Sequence, residues 1–186
     1  MLHQDVVCAK SKFFKVACSK QWREGQEKLV RLPEADAAVF KTYCSWIYSD
    51  EVCEETGTEV KDSAEKELGD RRLIDLYLLG DVLDDVTLRN RAMSMLFKRI
   101  RNHKFLLSTG SYQRVWSSTI RGSPMRSMIV NVAVSKLSAK WFSDRLSVLP
   151  AELVQDIALT TLEGPAKDWD GVEKECCQYW ETEKAE

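Results

Sequence analysis

Between His3 and about Ser19 the apolar side chains of Val6, Ala9, Phe13 and Ala17 return at steps of three and four residues, the spacing that lines up one face of an α-helix. Phe14 and Cys18 lie off that stripe, so this helix is apolar around more of its circumference than one core-facing side needs. After the polar stretch Gln21 to Gln26, Lys28-Leu29-Val30-Arg31-Leu32 alternates in part and stops at Pro33, which predicts a short strand over Leu29 to Leu32. Asp36 is then placed to cap a helix whose stripe is Val39, Phe40, Tyr43, Cys44 and Ile47 and which ends near Ser49-Asp50. A second short strand is expected at Glu51 to Cys53.

Residues 50–70 hold nine acids against two lysines and few apolar side chains, which predicts a solvated acidic loop. Beyond it Leu73, Leu76, Tyr77 and Leu83 form another helical stripe, with Gly80 allowing close approach and Asp84-Asp85 marking a break. Leu88, Ala92, Met95, Leu96 and Ile100 define the next helix, and Tyr112, Val115, Trp116 and Ile120 the one after. Gly122-Ser123-Pro124 supplies the stop, N-cap and first-turn proline that separate it from a helix carrying Met125, Met128, Ile129, Val132 and Leu137. Trp141, Phe142 and Leu146 form a shorter apolar group, and Pro150 opens a last helix with Leu153, Val154, Ile157 and Leu162 before Gly164-Pro165. The remainder is acidic and sparse, with Trp169 and Trp180 as its large apolar side chains, able to anchor it to the body or to a partner.

Charge changes this picture little: 27 basic and 29 acidic residues among 186 nearly cancel, so no global field draws the chain to nucleic acid or an anionic membrane. The longest uncharged stretches, such as Met128 to Ser135, fall well short of a membrane span. The opening Met1-Leu2-His3-Gln4-Asp5 lacks the basic-then-apolar pattern of a secretory signal, so the expected setting is intracellular, cytoplasmic or nuclear. In that setting the six cysteines read as small hydrophobes or free thiols. Two histidines and an adjacent Cys176-Cys177 pair give no zinc-ligand spacing, and no phosphate-loop, dinucleotide or nucleophile-elbow motif occurs. The one nucleophile pair worth naming, Cys8 with His3, is spaced by five residues and stacks poorly on a helix. No cofactor, metal or catalytic residue is therefore expected, and the chain reads as a non-enzyme.

The stretch LHQDVVCAKSKFF resembles the first-helix signature of BTB/POZ domains, in which a His precedes an apolar helix bearing a Ser and, three residues on, a Phe; His3, Ser11 and Phe14 match. EKLVRLPEADAAVFKTYCSWIYSDEV resembles the family's strand, turn and third helix, and LIDLYLLGDVLDDVTLRNRAMSML its fourth and fifth helices. VWSSTIRGSPMRSMIVNVAV, Trp141-Phe142 and LPAEL resemble the C-terminal helical extension of the stand-alone BTB proteins of filamentous fungi. Family members carry a strand pair ahead of the His, here at position 3, so the resemblance implies a sheet without its first strands. The basic residue that follows that His in the transcription-factor branch is Gln4 here, which removes the charged pocket of that branch. The expected fold class is thus α+β, mostly helical, with a very small sheet. It divides into a BTB/POZ-like core over 1–105, a helical extension over 106–164 and an acidic tail over 165–186.

The resemblance implies a protein-interaction module that self-associates, as a homodimer, or acts as an adaptor. The expected partner-binding residues are Val6, Phe13, Phe14 and Cys18 on the first helix with Phe40, Tyr43 and Tyr48 on the third. It also implies docking on a cullin-type ubiquitin-ligase scaffold, through Phe40 to Tyr48 and Leu88 to Ile100. The alternative is a nucleic-acid-associated regulator using Arg89, Arg91, Lys98, Arg99, Arg101 and Lys104, an acid-free basic segment over 89–104. It ranks below protein binding, because cations gathered toward a helix C-terminus more often form a solvated face.

Overall fold

Ser11 divides the first helical stretch in two. Its backbone is extended, with φ −121° and ψ 121°, and separates α1 (Gln4–Lys10) from α2 (Lys12–Ala17). The computed structural model describes residues 2–33, 35–49, 63–103, 107–164 and 179, with the backbone alone at 63–68, 102 and 103. The Ser11 hydroxyl accepts a hydrogen bond from the Phe14 N–H and donates one to the Leu83 carbonyl. It thus caps α2 and ties the break to the far end of a later helix. The expectation of one continuous helix is corrected here, and with it the phase of the stripe. Val7 and Phe14 are the buried residues, whereas Val6 and Phe13 are only partly covered.

Next, α3 (Arg23–Glu27) takes up most of the polar stretch and closes on Lys28 in the left-handed region, φ 52°. No strand forms over Leu29 to Leu32, and none exists among the described residues, so the α+β expectation gives way to a helical architecture. The physical reason is local: the Leu29 N–H donates to the Glu24 carbonyl at 3.1 Å to finish α3, and a strand needs a neighbouring strand to take up its backbone groups. The strand expected at Glu51 to Cys53 lies outside the described residues. As expected, Asp36 caps α4 (Ala37–Ser49), its Oδ1 accepting from the N–H groups of Ala38 at 2.8 Å and Val39 at 3.0 Å. This helix buries Val39, Tyr43, Trp46 and Ile47.

Helix α5 (Ser63–Val82) begins inside the segment expected to be acidic loop, so residues 63–70 are helical. Asp70 is buried, its Oδ1 accepting from Arg99 Nε at 2.7 Å. A carboxylate can leave water only with such a partner. The chain reverses at Asp84, φ 46°, into α6 (Val86–His103), which runs back along α5 in the most extensive helix pairing of the fold. Asp85 caps α6 by accepting from the Leu88 N–H at 2.9 Å and the Thr87 hydroxyl at 2.7 Å. Gly80 is required by this turn: a Cβ there would lie 3.0 Å from Arg89 Cγ and 3.3 Å from the Asp85 carbonyl.

Serine caps punctuate the rest. Ser108, Ser123 and Ser138 each accept from the N–H three residues on, at 3.1, 3.4 and 3.2 Å, to open α7 (Thr109–Ser118), α8 (Pro124–Lys136) and α9 (Ala139–Arg145). Pro124 occupies the first turn of α8 as the sequence predicts, and Gly122 takes φ 79°. The series ends with α10 (Ala151–Leu162). Helix α7 lies against α5 and α10 against α8, which joins the extension to the core. The joint is aromatic: the Tyr112 ring sits 6.4 Å from Trp116 and 6.3 Å from Trp141. Tyr179 is buried too, its hydroxyl accepting from Asn131 Nδ2 at 2.6 Å, so the C-terminal segment touches the body there.

Candidate interaction surface

Burial is uneven along the chain. From α5 through α8 the large apolar side chains are mostly sealed, as with Ile74, Leu76, Leu88, Leu96, Tyr112 and Met128. Across residues 2–49 many are not: Val16 and Trp22 are each 55% exposed, Tyr48 51% and Leu29 47%, while Leu2, Val6, Phe13, Val30, Leu32 and Phe40 are only partly covered. Each apolar side chain left in water forgoes roughly 1.5–3 kcal/mol of burial.

Within α1 and α2 the break at Ser11 sets which side chains are covered. It turns Phe14 inward and leaves Phe13 at the margin, with the two rings edge to face at 5.4 Å. On α4 the fully buried Tyr43 points into the core beside the half-buried Phe40, their rings 5.8 Å apart. Of the expected partner-binding residues, Phe14 and Tyr43 therefore serve the core, Val6, Phe13, Cys18 and Phe40 are half-covered, and Tyr48 is open to solvent. Val16, Trp22 and Leu29 share that exposure, and the helical stripe did not single them out. The signal for Val16 was its place two residues beyond Phe14, on the outer side of a helix restarted at Ser11.

Tyr48 links the end of α4 to the start of the chain. Its hydroxyl accepts from the His3 N–H at 3.0 Å and meets His3 Nδ1 at 2.9 Å, with the rings edge to face at 5.9 Å. Lys10 places its ammonium 5.2 Å from the centre of the Trp46 ring, so α1 also reaches the middle of α4. Behind this surface the Tyr43 hydroxyl and Asp85 Oδ2 are both buried with no hydrogen-bond partner among the described residues. Burial, then the Asp85 carboxylate, pushes the Tyr43 ionisation upward.

Cys8 and His3 have separate partners: His3 meets Tyr48, whereas the Cys8 thiol donates to the Phe14 carbonyl at 3.5 Å. Burial, followed by the nearby Cys18, raises the Cys8 thiol to about 11, which disfavours the thiolate a nucleophile needs. Among the described residues no group of three or more His, Cys, Asp or Glu side chains could hold a metal ion, and no helix is long and apolar enough to cross a membrane.

The basic segment of α6 is partly neutralised from within the fold. Arg89 is buried, its Nη1 donating to the Gly80 carbonyl at 3.3 Å and lying 3.6 Å from Asp81 and 3.8 Å from Asp84. Arg99 is engaged with Asp70, leaving Arg91, Lys98 and Arg101 as the exposed cations of the segment; Lys104 lies outside the described residues. A cleft of about 460 Å³ opens between α7, α8 and α10, and its polar groups satisfy one another. Arg126 donates to the carbonyls of Trp116 and Thr119, to the Thr119 hydroxyl at 2.9 Å and to Glu152, while Trp116 Nε1 and Arg121 both reach Asp156. No local pattern of residues marks this buried arginine.

The chain matches no protein-family model, no curated protein and no solved structure.

Proposed function

We propose that the chain is a protein–protein interaction module of the BTB/POZ type, that it self-associates through the surface formed by α1, α2 and the outer side of α4, and that it turns over no substrate. The observation that carries this reading is that the two exposed large aromatics among the described residues, Trp22 and Tyr48, each about half exposed, both lie in residues 2–49, where Phe13 and Phe40 are partly covered. Aromatic residues of this kind are the usual anchors of protein interfaces. Ile120, Leu159 and Leu162 are also exposed on the extension, but they bring no aromatic anchor. A cullin-type scaffold, the other partner the resemblance implies, would compete for Phe40 and Tyr48. Its second expected contact on α6 is reduced, since Leu88, Ala92, Leu96 and Ile100 all face inward. The nucleic-acid reading loses support from the internal pairing of Arg89 and Arg99. We take the setting to be intracellular, cytoplasmic or nuclear.

Light scattering on size-exclusion fractions over a range of micromolar concentrations tests this. The expected result is a dimer that Val16→Asp and Trp22→Ser each weaken while leaving the helical circular-dichroism spectrum intact. Phe14→Asp should instead unfold the domain, because it buries a charge without a partner. A chain that stays monomeric at high micromolar concentration would overturn the reading.

A further inference from the structure

We propose that Cys8 and Cys18 are a redox pair that closes a reversible intramolecular disulfide between α1 and α2, with a low-molecular-weight disulfide of the glutathione class as oxidant. Cys8 lies in α1, three residues before the break at Ser11, Cys18 is the C-cap of α2, and the two helices are in contact. Both converge on one atom: the Cys8 thiol donates to the Phe14 carbonyl oxygen at 3.5 Å, and the Cys18 backbone N–H donates to the same oxygen at 2.9 Å. Both side chains are half-buried, so a small oxidant can reach them. Burial, and then the neighbouring Cys18, holds the Cys8 proton in place at neutral pH. Cys44, the remaining described cysteine, is raised by burial and has no cysteine among the groups acting on it.

One of the two thiols, as thiolate, attacks one sulfur of the small disulfide, whose S–S bond breaks and whose other half leaves and takes up a proton. The second thiol then loses its proton and attacks the protein sulfur of the mixed disulfide, releasing the second small thiol. Two protein thiols are oxidised to one disulfide and one small disulfide is reduced to two thiols. The consequence drawn for function rests on the interaction reading above: the bond would stiffen the hairpin carrying Val6, Phe13 and Val16, and a preorganised face loses less freedom on association.

The full chain, equilibrated in glutathione buffers of increasing oxidised-to-reduced ratio, is acid-quenched, alkylated and mapped by mass spectrometry. The expected product is a Cys8–Cys18 cross-linked species lighter by two hydrogens, with Cys44 still alkylated, and its loss in both Cys8→Ser and Cys18→Ser. Both cysteines remaining alkylatable at every ratio, or pairing elsewhere, would overturn the proposal. Light scattering on the two forms reads the consequence, a several-fold tighter association when oxidised being expected. Equal association of the two forms would remove the regulatory role. Absence of association in both would sink the interaction reading and leave the disulfide standing.

Discussion

Replacing Ser11 with alanine removes two bonds made by one hydroxyl: the cap to the Phe14 N–H at 3.1 Å and the donation to the Leu83 carbonyl. Loss of a serine cap costs about 1 kcal/mol, and loss of a buried hydrogen bond about 1 kcal/mol more. Leu83 would retain the long bond from the Phe13 N–H at 3.4 Å and little else, so the second contribution should be felt in full. The expected total is about 2 kcal/mol, equivalent to a melting shift of roughly 4–8 °C for a chain of this size. Ser138 provides the internal comparison, since it caps α9 through the Trp141 N–H at 3.2 Å from an exposed position and its hydroxyl is not buried. Ser138→Ala should cost about 1 kcal/mol or less. Urea unfolding followed by circular dichroism gives both values, provided the slope of free energy against denaturant is unchanged. Equal costs for the two substitutions would refute the claim that Ser11 locks the α1–α2 break to the end of α5.

Arg126→Met should cost about 3 kcal/mol, because it leaves the buried Trp116 carbonyl and the part-buried Thr119 carbonyl and hydroxyl without their donor. Glu152→Gln, at a side chain 63% exposed, should cost under about 1 kcal/mol, and chemical denaturation separates the two. Tyr112 is held neutral in the fold chiefly by burial, its ionisation pushed above the ordinary value. The unfolded chain therefore releases this proton first. Stability is fully present below about pH 10 and falls by about 1.4 kcal/mol per pH unit above it, a slope that Tyr112→Phe should flatten in urea midpoints taken across that range. Tyr179→Phe removes the bond from Asn131 and should cost about 1 kcal/mol while speeding limited proteolysis of the C-terminal segment; unchanged cleavage would mean the contact does not hold that segment.

Elements marked by their own end signals were legible in the sequence. Asp36, Asp85 and Ser123 each set a boundary within a few residues of where the helix begins, because a cap acts on the N–H groups next to it, and Pro150 stands just before α10 with its φ fixed by its ring. Features that depend on distant residues were not. Asp70 looked like part of a solvated loop because its partner Arg99 lies on the next helix, and Arg89 was grouped with a basic segment because its partners Asp81 and Asp84 precede that helix. The run Leu29 to Leu32 had the alternation of a strand, yet strand formation depends on a neighbour that the pattern cannot supply. The candidate surface was expected on the first and third helices, and within the first a one-residue extended break at Ser11 exchanged the burial of Phe13 and Phe14. That break had a visible cue, a serine three residues ahead of an apolar side chain, which a continuous stripe obscured.

The hairpin of α5 and α6 has a consequence for the order in which the chain assembles. Its helices are neighbours in sequence, are joined at Asp84-Asp85 and bury Leu76, Leu83, Leu88 and Leu96, so its contacts close with little loss of loop entropy. Local pairings of this kind form early, and kinetics across related folds follow how local the contacts are. The N-terminal helices and the extension then meet a preformed wall, α4 on one side and α7 on the other. Substitutions within the hairpin should accordingly slow folding, whereas those in α1, α2 or α10 should chiefly hasten unfolding. A chain emerging from synthesis would hold its aromatic N-terminal face uncovered until residues as far along as Ile100 had appeared, the interval in which a chaperone or a second copy could first engage it.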